Sequence, residues 1–451
     1  MTLSNEEQYL LELINRARLD PAAEAARYGI DLNAGLAAGT LPGGSRQVLV
    51  ANAQLEFAAI GHSQWMLMAD VFSHTGANGS APWDRATAAG YTWTGIGENI
   101  AWWGTSAPTF DLQAAIESHH SGLFRSAGHR VNLLNDGFTE IGIARETGQF
   151  TAYGTDWNAS MLTELFGSAA TGPFLTGVVY DDRNGDGFYS IGEGVAGISF
   201  VTPDARCKST ASGGYGMELG TGIERVAGFV TPEQYYCVWV DMSAGNVKLD
   251  IVNGDTFLTS GNLTLGVGIT NATALGTDGI WINGTTASNV ITGNSAGNFL
   301  RGYAGADVLS GMNGNDVLIG DVGDDVLHGG QGHDRIQGNS DNDLMFGGAG
   351  NDLLNGGIGN DTMTGDDGAD RFVFDNRFAN DTVTDFSRAQ GDRLSLDDAL
   401  WGHAAISTAL VVQIFAEVTT QGVVFDFGGG DVLLLAGLTS TAGLDAGIDI
   451  I

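Results

Sequence analysis

Aspartates recur at every ninth position over one stretch of the chain, where they could do metal chemistry. A glycine precedes each of them by five residues, and a large apolar side chain follows each by two. Carboxylate and carbonyl oxygens are the ligands that calcium prefers in proteins. The spacing therefore predicts a row of calcium sites on Asp307, Asp316, Asp325, Asp334, Asp343, Asp352, Asp361 and Asp370.

The nine-residue period also predicts the backbone that carries these sites. A short strand and a glycine turn together take nine residues, so two repeats complete one coil of a flattened helix of strands. Residues eighteen apart then lie on neighbouring rungs, about 4.7–4.9 Å apart. Calcium, which binds oxygens at about 2.3–2.6 Å, fits between two such rungs. The apolar residue after each aspartate is expected to point into a thin core.

This register of glycine, aspartate and apolar residue resembles the RTX (hemolysin-type) calcium-binding repeat. The fullest copies are 329–336 and 356–363. The resemblance implies a parallel β-roll, and it implies export by a type I secretion apparatus that reads a C-terminal signal. Residues 370–394 resemble the strand-rich tail that closes such arrays. The first seven residues lack the basic and apolar segments of a secretory signal peptide, in agreement with that route. We therefore expect a secreted protein, extracellular or associated with a cell surface.

The composition restricts the partners of this chain. It has 53 acidic and 19 basic residues, a net charge of −34, and 69 glycines. Such a chain is repelled by nucleic acid and by anionic membranes, and it attracts cations. The sequence contains no apolar run long enough to predict a transmembrane helix. Its two cysteines, Cys207 and Cys237, are compatible with one disulfide or with two buried thiols.

A second calcium motif lies in the middle of the chain. Asp182, Asn184, Asp186 and Glu193 fit the loop D-x-[DN]-x-[DN]-G-x₅-E, in which the backbone carbonyl of Phe188 would be a further ligand. The flanking segments 175–180 and 195–201 read as strands rather than helices. The arrangement resembles the calcium-bearing β-sandwich of the Cna-B/SdrD type, which usually forms stalks of bacterial surface proteins.

The first part of the chain shows helical periodicity and three short polar islands. Helices are predicted over 7–28 and 55–68. The islands are 72–76, 97–101 and 120–134, and with Asn15–Arg16–Ala17–Arg18 they resemble bacterial members of the CAP (SCP/PR-1-like) superfamily. The resemblance implies an α-β-α sandwich with a central cleft that could hold a divalent cation.

Carried over residue by residue, the resemblance places His74, Glu98 and His129 in that cleft. Glu117 is the nearest candidate for the family's second glutamate, and His120 fits the bacterial variant of the motif. Two imidazoles and a carboxylate suit Zn²⁺ with one open position, or a pair of acid and base groups. Glu98 and His129 could equally have structural roles. His62, on an apolar helical face, is expected in the core.

The predicted organisation has four segments and the fold class is multi-domain. An α-β-α CAP domain covers 1–168, an all-β sandwich 173–268, a parallel β-roll 285–374, and a strand-rich tail with the secretion signal 375–451. The predicted function is non-enzymatic binding of an extracellular target, with calcium-driven folding of the roll. The alternatives are a metal-dependent hydrolase, for instance a peptidase, and a lipid-binding CAP protein that uses the His/Glu cleft.

Overall fold

The computed structural model describes residues 3–107, 109, 111–231 and 234–451. It divides into two compact units, residues 1–261 and 262–451. The first unit combines helices with strands, and the second consists mainly of strands.

Among the described residues, six α-helices lie in the first part of the first unit. Ser4 begins the first helix with a capping box, because its hydroxyl accepts the N–H of Glu7 while the Glu7 carboxylate accepts the N–H of Ser4. The helix predicted over 7–28 is in fact two helices. It breaks at Asp20, which caps a second helix that starts with Pro21. The helices are α1 Asn5–Leu19, α2 Pro21–Arg27, α3 Ala53–Ala69, α4 Pro82–Ala88, α5 Leu112–Arg125 and α6 Ala127–Leu133.

These helices cover both faces of a four-stranded sheet with the order β1-β3-β4-β2. Ile141 and Ile143 pack with α1 and α5 on one face. Ala144 and Leu165 pack with α3 on the other face. The predicted α-β-α sandwich is therefore confirmed. Its strands are β1 Val50–Ala51, β2 Gly95–Thr105, β3 Glu140–Ala152 and β4 Thr155–Ser168.

The remainder of the first unit is strand-rich, and its strands belong to two sheets. Within this unit the strand orders are β12-β11-β5-β8 and β10-β9-β6-β7. Aromatic rings pack between the sheets: Phe200 stacks on Tyr215 at 3.6 Å between ring centroids, and Tyr236 contacts Phe257 at 5.8 Å. Both cysteines are free thiols. The strands are β5 Phe174–Tyr180, β6 Ser199–Val201, β7 Arg206–Lys208, β8 Gly214–Glu218, β9 Ile223–Phe229, β10 Tyr235–Asp241, β11 Val247–Val252 and β12 Thr256–Thr259.

This strand-rich region packs directly on helix α1. Tyr180 and Tyr189 belong to the same buried cluster as the apolar residues of α1. Lys248, on β11, lies 2.8 Å from the Glu12 carboxylate of α1 and also pairs with Asp250, and all three side chains are buried. A shared core and a buried ion pair make the helices and this region one compact body.

The second unit is a coil of strands that alternate between two sheets. Odd-numbered strands from β13 to β27 pair in parallel in one sheet, and even-numbered strands from β14 to β26 pair in parallel in the other. Partners are eighteen residues apart in the repeats, as in Leu318↔Ile336. The strands are β13 Leu263–Leu265, β14 Asn271–Ala274, β15 Trp281–Thr285, β16 Val290–Thr292, β17 Phe299–Ala304, β18 Val308–Asn313, β19 Val317–Val322, β20 Val326–Gln331, β21 Arg335–Ser340, β22 Leu344–Ala349, β23 Leu353–Ile358, β24 Thr362–Asp367, β25 Arg371–Phe374, β26 Asn380–Val383 and β27 Arg393–Leu396.

The apolar residues that follow the repeated aspartates form the core of this coil. All eight are essentially inaccessible to solvent: Leu309, Leu318, Leu327, Ile336, Met345, Leu354, Met363 and Phe372. The parallel β-roll predicted from the nine-residue period is therefore confirmed.

The sheets of the roll continue beyond residue 374. β26 extends one sheet and then pairs with β30, while β27 extends the other and pairs with β31. The closing elements are α7 Thr408–Phe415, β28 Ala416–Val418, β29 Gly422–Gly428, β30 Asp431–Ala436 and β31 Ile448–Ile450. Across the described residues, no helix has the length and apolarity that crossing a membrane requires.

Candidate calcium sites and the N-terminal cleft

The repeated aspartates form two ladders along the roll. In each, the backbone N–H of one aspartate donates to the Oδ1 atom of the aspartate eighteen residues later, at 2.7–2.9 Å. One ladder contains Asp307, Asp325, Asp343 and Asp361. The other contains Asp316, Asp334, Asp352 and Asp370. The side-chain positions predicted from the spacing are thus brought together in the predicted order.

The second carboxylate oxygen of each of these aspartates is buried without a hydrogen-bond partner among the described residues. It lies close to the glycine five residues earlier: a Cβ atom built on Gly302 would come within 2.2 Å of Asp307 Oδ2. A side chain at this position would therefore displace the carboxylate, which explains the invariant glycine in each repeat.

Burial raises the pKa of these carboxyl groups far above the ordinary value. The pKa rises to about 6 for Asp307, to about 7 for Asp316 and Asp325, and to about 8 for Asp343. Burial is the largest cause, and neighbouring carboxylates raise the pKa further. A buried carboxylate without a partner fits a divalent cation, because the cation supplies both the charge and the missing ligand. These oxygen atoms are the type of ligand that a calcium site requires.

Both ladders extend further than the nine-residue period indicated. Asp361 N–H donates to Asp381 at 2.9 Å and Asp370 N–H donates to Asp392 at 3.0 Å, although these partners are twenty and twenty-two residues away. Asp381 Oδ2 is buried and unpartnered like those of the repeats. Asp392 Oδ2 instead accepts the N–H of Ser387 at 2.7 Å. Asp381 therefore joins the candidate ligands, whereas Asp392 ends its ladder.

The loop 182–193 has the compact turn that its motif predicts. Asp182 accepts the N–H groups of Gly185 and Gly187 at 2.9 and 3.0 Å. Glu193 is buried and accepts the N–H groups of Arg183 and Ser190 at 3.0 and 2.8 Å. Asn184 donates to Asp186 at 3.0 Å. The four predicted side-chain ligands thus belong to one turn, and strand β5 precedes it.

In the N-terminal domain, Glu98 is the buried centre of a polar cluster. One of its oxygens lies 2.9 Å from His74 Nδ1, and the other accepts a hydrogen bond from Arg85. His62 Nε2 lies 3.9 Å from Glu98. His62 is buried as expected; burial lowers its pKa to about 4, despite the opposing charge of Glu98. Arg85 and His62 were missed as members of this cluster.

His129 lies on a neighbouring cavity of about 280 Å³. Its Nδ1 atom is 2.8 Å from the Ser126 hydroxyl. His119 also lines this cavity and lies 2.9 Å from the Ser160 hydroxyl. Burial lowers the pKa of His119 to about 3, so its imidazole is neutral. The other side chains lining the cavity include Phe72, Ile100, Trp102, Trp103, Ser118 and Leu123.

Glu117 and His120 are not brought to this cleft. Glu117 accepts a hydrogen bond from the Tyr9 hydroxyl at 2.9 Å, and His120 Nε2 lies 2.9 Å from the buried carboxylate of Glu24. Glu24 also accepts two hydrogen bonds from Arg16. Burial alone would raise the pKa of Glu24, but the bonds from His120 and Arg16 outweigh it and lower the pKa to about 2. Both predicted residues therefore join α5 to α1 and α2.

The predicted zinc site on His74, Glu98 and His129 is not supported by this geometry. Among the described residues, three metal-ligating atoms lie within 4.8 Å of one another only at Asp397, Asp398 and His403. That group lies in the second unit, and His403 is exposed. Both carboxylate oxygens of Glu98 already have hydrogen-bond partners, His74 on one and Arg85 on the other.

Two protein families match separate parts of this chain. The sequence model of the cysteine-rich secretory protein family, CAP, matches residues 11–159. The model of the RTX calcium-binding nonapeptide repeat matches five overlapping segments between residues 275 and 372. The chain carries a CAP domain and RTX calcium-binding repeats. Both resemblances drawn from the sequence are thereby confirmed, and the RTX repeats imply calcium binding. The resemblance of the middle region to the Cna-B/SdrD type stays a prediction.

Solved structures resemble parts of the chain at low similarity. An extracellular protein containing a SCP domain from Bacillus anthracis is 23% identical, with a TM-score of 0.23, over 36% of this chain and 40% of that chain. An outer surface protein from Borrelia burgdorferi is 15% identical, with a TM-score of 0.24, over 37% and 96%. The extracellular lipase LipA from Serratia marcescens is 16% identical, with a TM-score of 0.19, over 39% and 40%. The chain thus covers about two fifths of the first and third of these proteins. No curated protein matches the chain.

Proposed function

We propose that the chain is a secreted calcium-binding protein whose RTX roll folds when calcium binds and whose CAP domain binds an extracellular target without catalysis. The observation that carries this proposal is the pair of ladders of buried carboxylates with unpartnered oxygens. Without a cation, each charged carboxylate in the roll is buried at a cost of several kcal/mol. Each strand of the repeats contributes one large apolar side chain to the core, and the burial of that side chain does not offset the cost of burying a charged carboxylate in every repeat. Calcium binding and folding of the roll are therefore one event.

Circular dichroism of the full chain tests the folding step. Millimolar calcium is expected to raise the strand signal strongly over that in EDTA, while magnesium at the same concentration does not replace it. Magnesium holds its waters more tightly and demands a smaller octahedral site. Equal strand content in EDTA and in calcium would contradict the proposal.

The loop 182–193 is proposed as a separate calcium site in the first unit. Three carboxylates and one amide oxygen lie within twelve residues of the chain, at the spacing of known calcium loops. Isothermal titration of the wild-type chain and of an Asp182→Asn variant tests this site. We expect the variant to bind one calcium equivalent fewer than the wild type, and equal stoichiometries would contradict the proposal.

The proposed absence of catalysis rests on the chemistry of the cleft. Both oxygens of the Glu98 carboxylate are hydrogen-bonded, to Arg85 and His74, so this carboxylate is not free to act as a general base. The string Gly293–Asn294–Ser295–Ala296–Gly297 fits G-x-S-x-G, but it lies between strands β16 and β17 and is not followed by a helix. The nucleophile elbow of hydrolases needs a strand-to-helix turn. A panel of peptide and ester substrates tests this, and turnover that is lost in His129→Ala would favour a hydrolase.

An apolar ligand is the second candidate, because of the cavity beside His129. Three aromatic rings and two imidazoles line it, and its lining residues include no carboxylate. Such a cavity favours an uncharged, apolar group over a metal ion or a charged peptide. Retention of a fluorescent long-chain alcohol by the wild-type chain, and its loss in Trp103→Ala, would favour this lipid-binding alternative.

A further inference from the structure

We propose that calcium in the loop 182–193 fixes the wall of the CAP domain formed by α1 and α5, and that the Phe188 side chain transmits this effect. The inference rests on the proposed calcium site in that loop. It adds a regulatory contact between calcium and the CAP domain that is independent of the RTX roll.

Phe188 has two roles in this geometry. Its backbone carbonyl stands at the position of the sequence motif that supplies a calcium ligand, and its N–H donates to Asp186 at 2.8 Å. Its ring packs on α1, with the centroid 6.2 Å from that of Tyr9 and 5.0 Å from the Arg16 guanidinium carbon. Whatever fixes the loop backbone therefore fixes the ring against the helix.

The neighbouring residues extend this contact into the core. Tyr189 is 1% exposed, and its ring lies 5.9 Å from that of Tyr180 on β5. Ile191 packs against the same cluster, which contains most of the apolar residues of α1. The calcium loop is thus part of the surface that buries α1, rather than an appended turn.

The loop needs a cation to keep this position. Asp182, Asp186 and Glu193 bring three negative charges into twelve residues, and no positive side chain pairs with any of the three within the described residues. Unpaired like charges in one turn repel one another. Without calcium the turn is expected to open and to release Phe188 from α1.

From α1 the contacts continue to the helix that lines the cleft. The Tyr9 hydroxyl donates to Glu117 on α5, and Arg16 reaches His120 on α5 through Glu24. His119, the next residue along α5, lines the cavity beside His129. Loss of the Phe188 contact therefore loosens the helix that carries one side of the cleft.

Hydrogen exchange of the full chain, followed by mass spectrometry, tests the proposal. Calcium is expected to slow exchange in peptides covering 5–19 and 112–125 by at least about tenfold relative to EDTA. Asp182→Asn should abolish this slowing while the roll peptides between 299 and 367 still respond. Unchanged exchange in the two helices of the wild-type chain would overturn the proposal. Absence of a response in the roll would instead overturn calcium-driven folding, so the two failures are distinguishable.

A second variant distinguishes the effect of the Phe188 ring from the effect of calcium binding. Phe188→Leu keeps the backbone carbonyl, and the variant is expected to bind calcium but to show faster exchange in α1 whether calcium is present or not. Phe229→Leu, which alters an exposed ring on β9, is the matched control and should behave like the wild type. Full calcium protection of α1 in Phe188→Leu would also overturn the proposal.

Discussion

At the scale of single residues, one buried oxygen atom sets the ladder aspartates apart from the other acidic residues of the roll. Asp381 has this feature although it lies outside the nine-residue period, and burial raises its pKa to about 9. Exposed aspartates such as Asp426 keep their carboxylates in water and accept local bonds. Burial without a partner, rather than the motif alone, therefore distinguishes the candidate calcium ligands.

Replacing Asp381 tests this criterion. Asp381→Asn removes one charge from a calcium site, and calcium affinity depends on the number of charged ligands. We expect the calcium concentration at the folding midpoint to rise roughly tenfold, about 1.4 kcal/mol. Circular dichroism during calcium titration measures it. Asp426→Asn is the control, and equal midpoints for the two variants would show that Asp381 is no ligand.

The raised pKa values also predict an unusual pH dependence without calcium. The folded roll holds protons on its aspartates up to about pH 6–8, whereas the unfolded chain releases them near 3.8. Between these values the folded state binds more protons, so the free energy of unfolding falls as pH rises. In EDTA, strand content should therefore be greater at pH of about 5.5 than at about 7.5. Saturating calcium should remove this difference, and a loss of strand on acidification in EDTA would contradict the argument.

Glu98 is predicted to contribute stability through Arg85 rather than through a metal. Glu98→Gln leaves the mostly buried guanidinium without its anion, which costs about 3 kcal/mol. Thermal unfolding followed by tryptophan fluorescence reports on the first unit, since seven of the nine tryptophans lie before residue 262. Glu146→Gln, at a partly exposed site, should change the midpoint little.

Zinc analysis of the same protein completes this test. We expect the wild-type chain to retain less than one equivalent of zinc after dialysis, because both Glu98 oxygens are already bonded. Retention of one zinc equivalent by the wild-type chain, and its loss in the His74→Ala, His129→Ala double variant, would support the zinc site predicted from the sequence.

At the scale of elements, some turns of the roll hold a glycine where a side chain would meet the backbone of the preceding coil. A Cβ on Gly332, where φ is +134°, would lie 1.7 Å from the Gly314 carbonyl oxygen. Gly332→Ala is therefore expected to destabilise the folded roll by about 3 kcal/mol or more and to raise the calcium midpoint. Gly402→Ala also has positive φ but meets nothing within 4 Å, so the difference between the variants measures the clash.

The accuracy of the sequence predictions follows the range of the interactions involved. The roll was predictable because each repeat contacts the equivalent repeats at a fixed spacing of eighteen residues. Asp307 and Asp325 are one such pair. Asp381 was missed because insertions of two and four residues interrupt the period while the ladders continue. Glu117 and His120 were misplaced because the choice of helix face depends on packing: His119 faces Ser160 of the sheet, and the adjacent His120 faces Glu24. Arg85 reaches Glu98 only through the tertiary fold.

At the scale of the whole molecule, the RTX repeats suggest export by a type I secretion apparatus. Deleting about sixty C-terminal residues should retain the protein inside a host that has a type I exporter. The Asp381→Asn variant, whose roll is impaired but whose C-terminus is intact, should still reach the medium. Immunoblots of cells and medium measure the ratio, and normal secretion of the truncated chain would refute the route.

The pairing of residues eighteen apart has a consequence for how such chains can change in length. Removing 308–325 would shorten the roll by one full coil, about 4.8 Å, and return every later strand to its own sheet. Removing only 308–316 would keep the repeat pattern but transfer every later strand to the opposite sheet, and the closing tail with them. Insertions and deletions in this region are therefore expected to be tolerated when they add or remove an even number of repeats. The length of the roll would then change in steps of two repeats, which is one full coil.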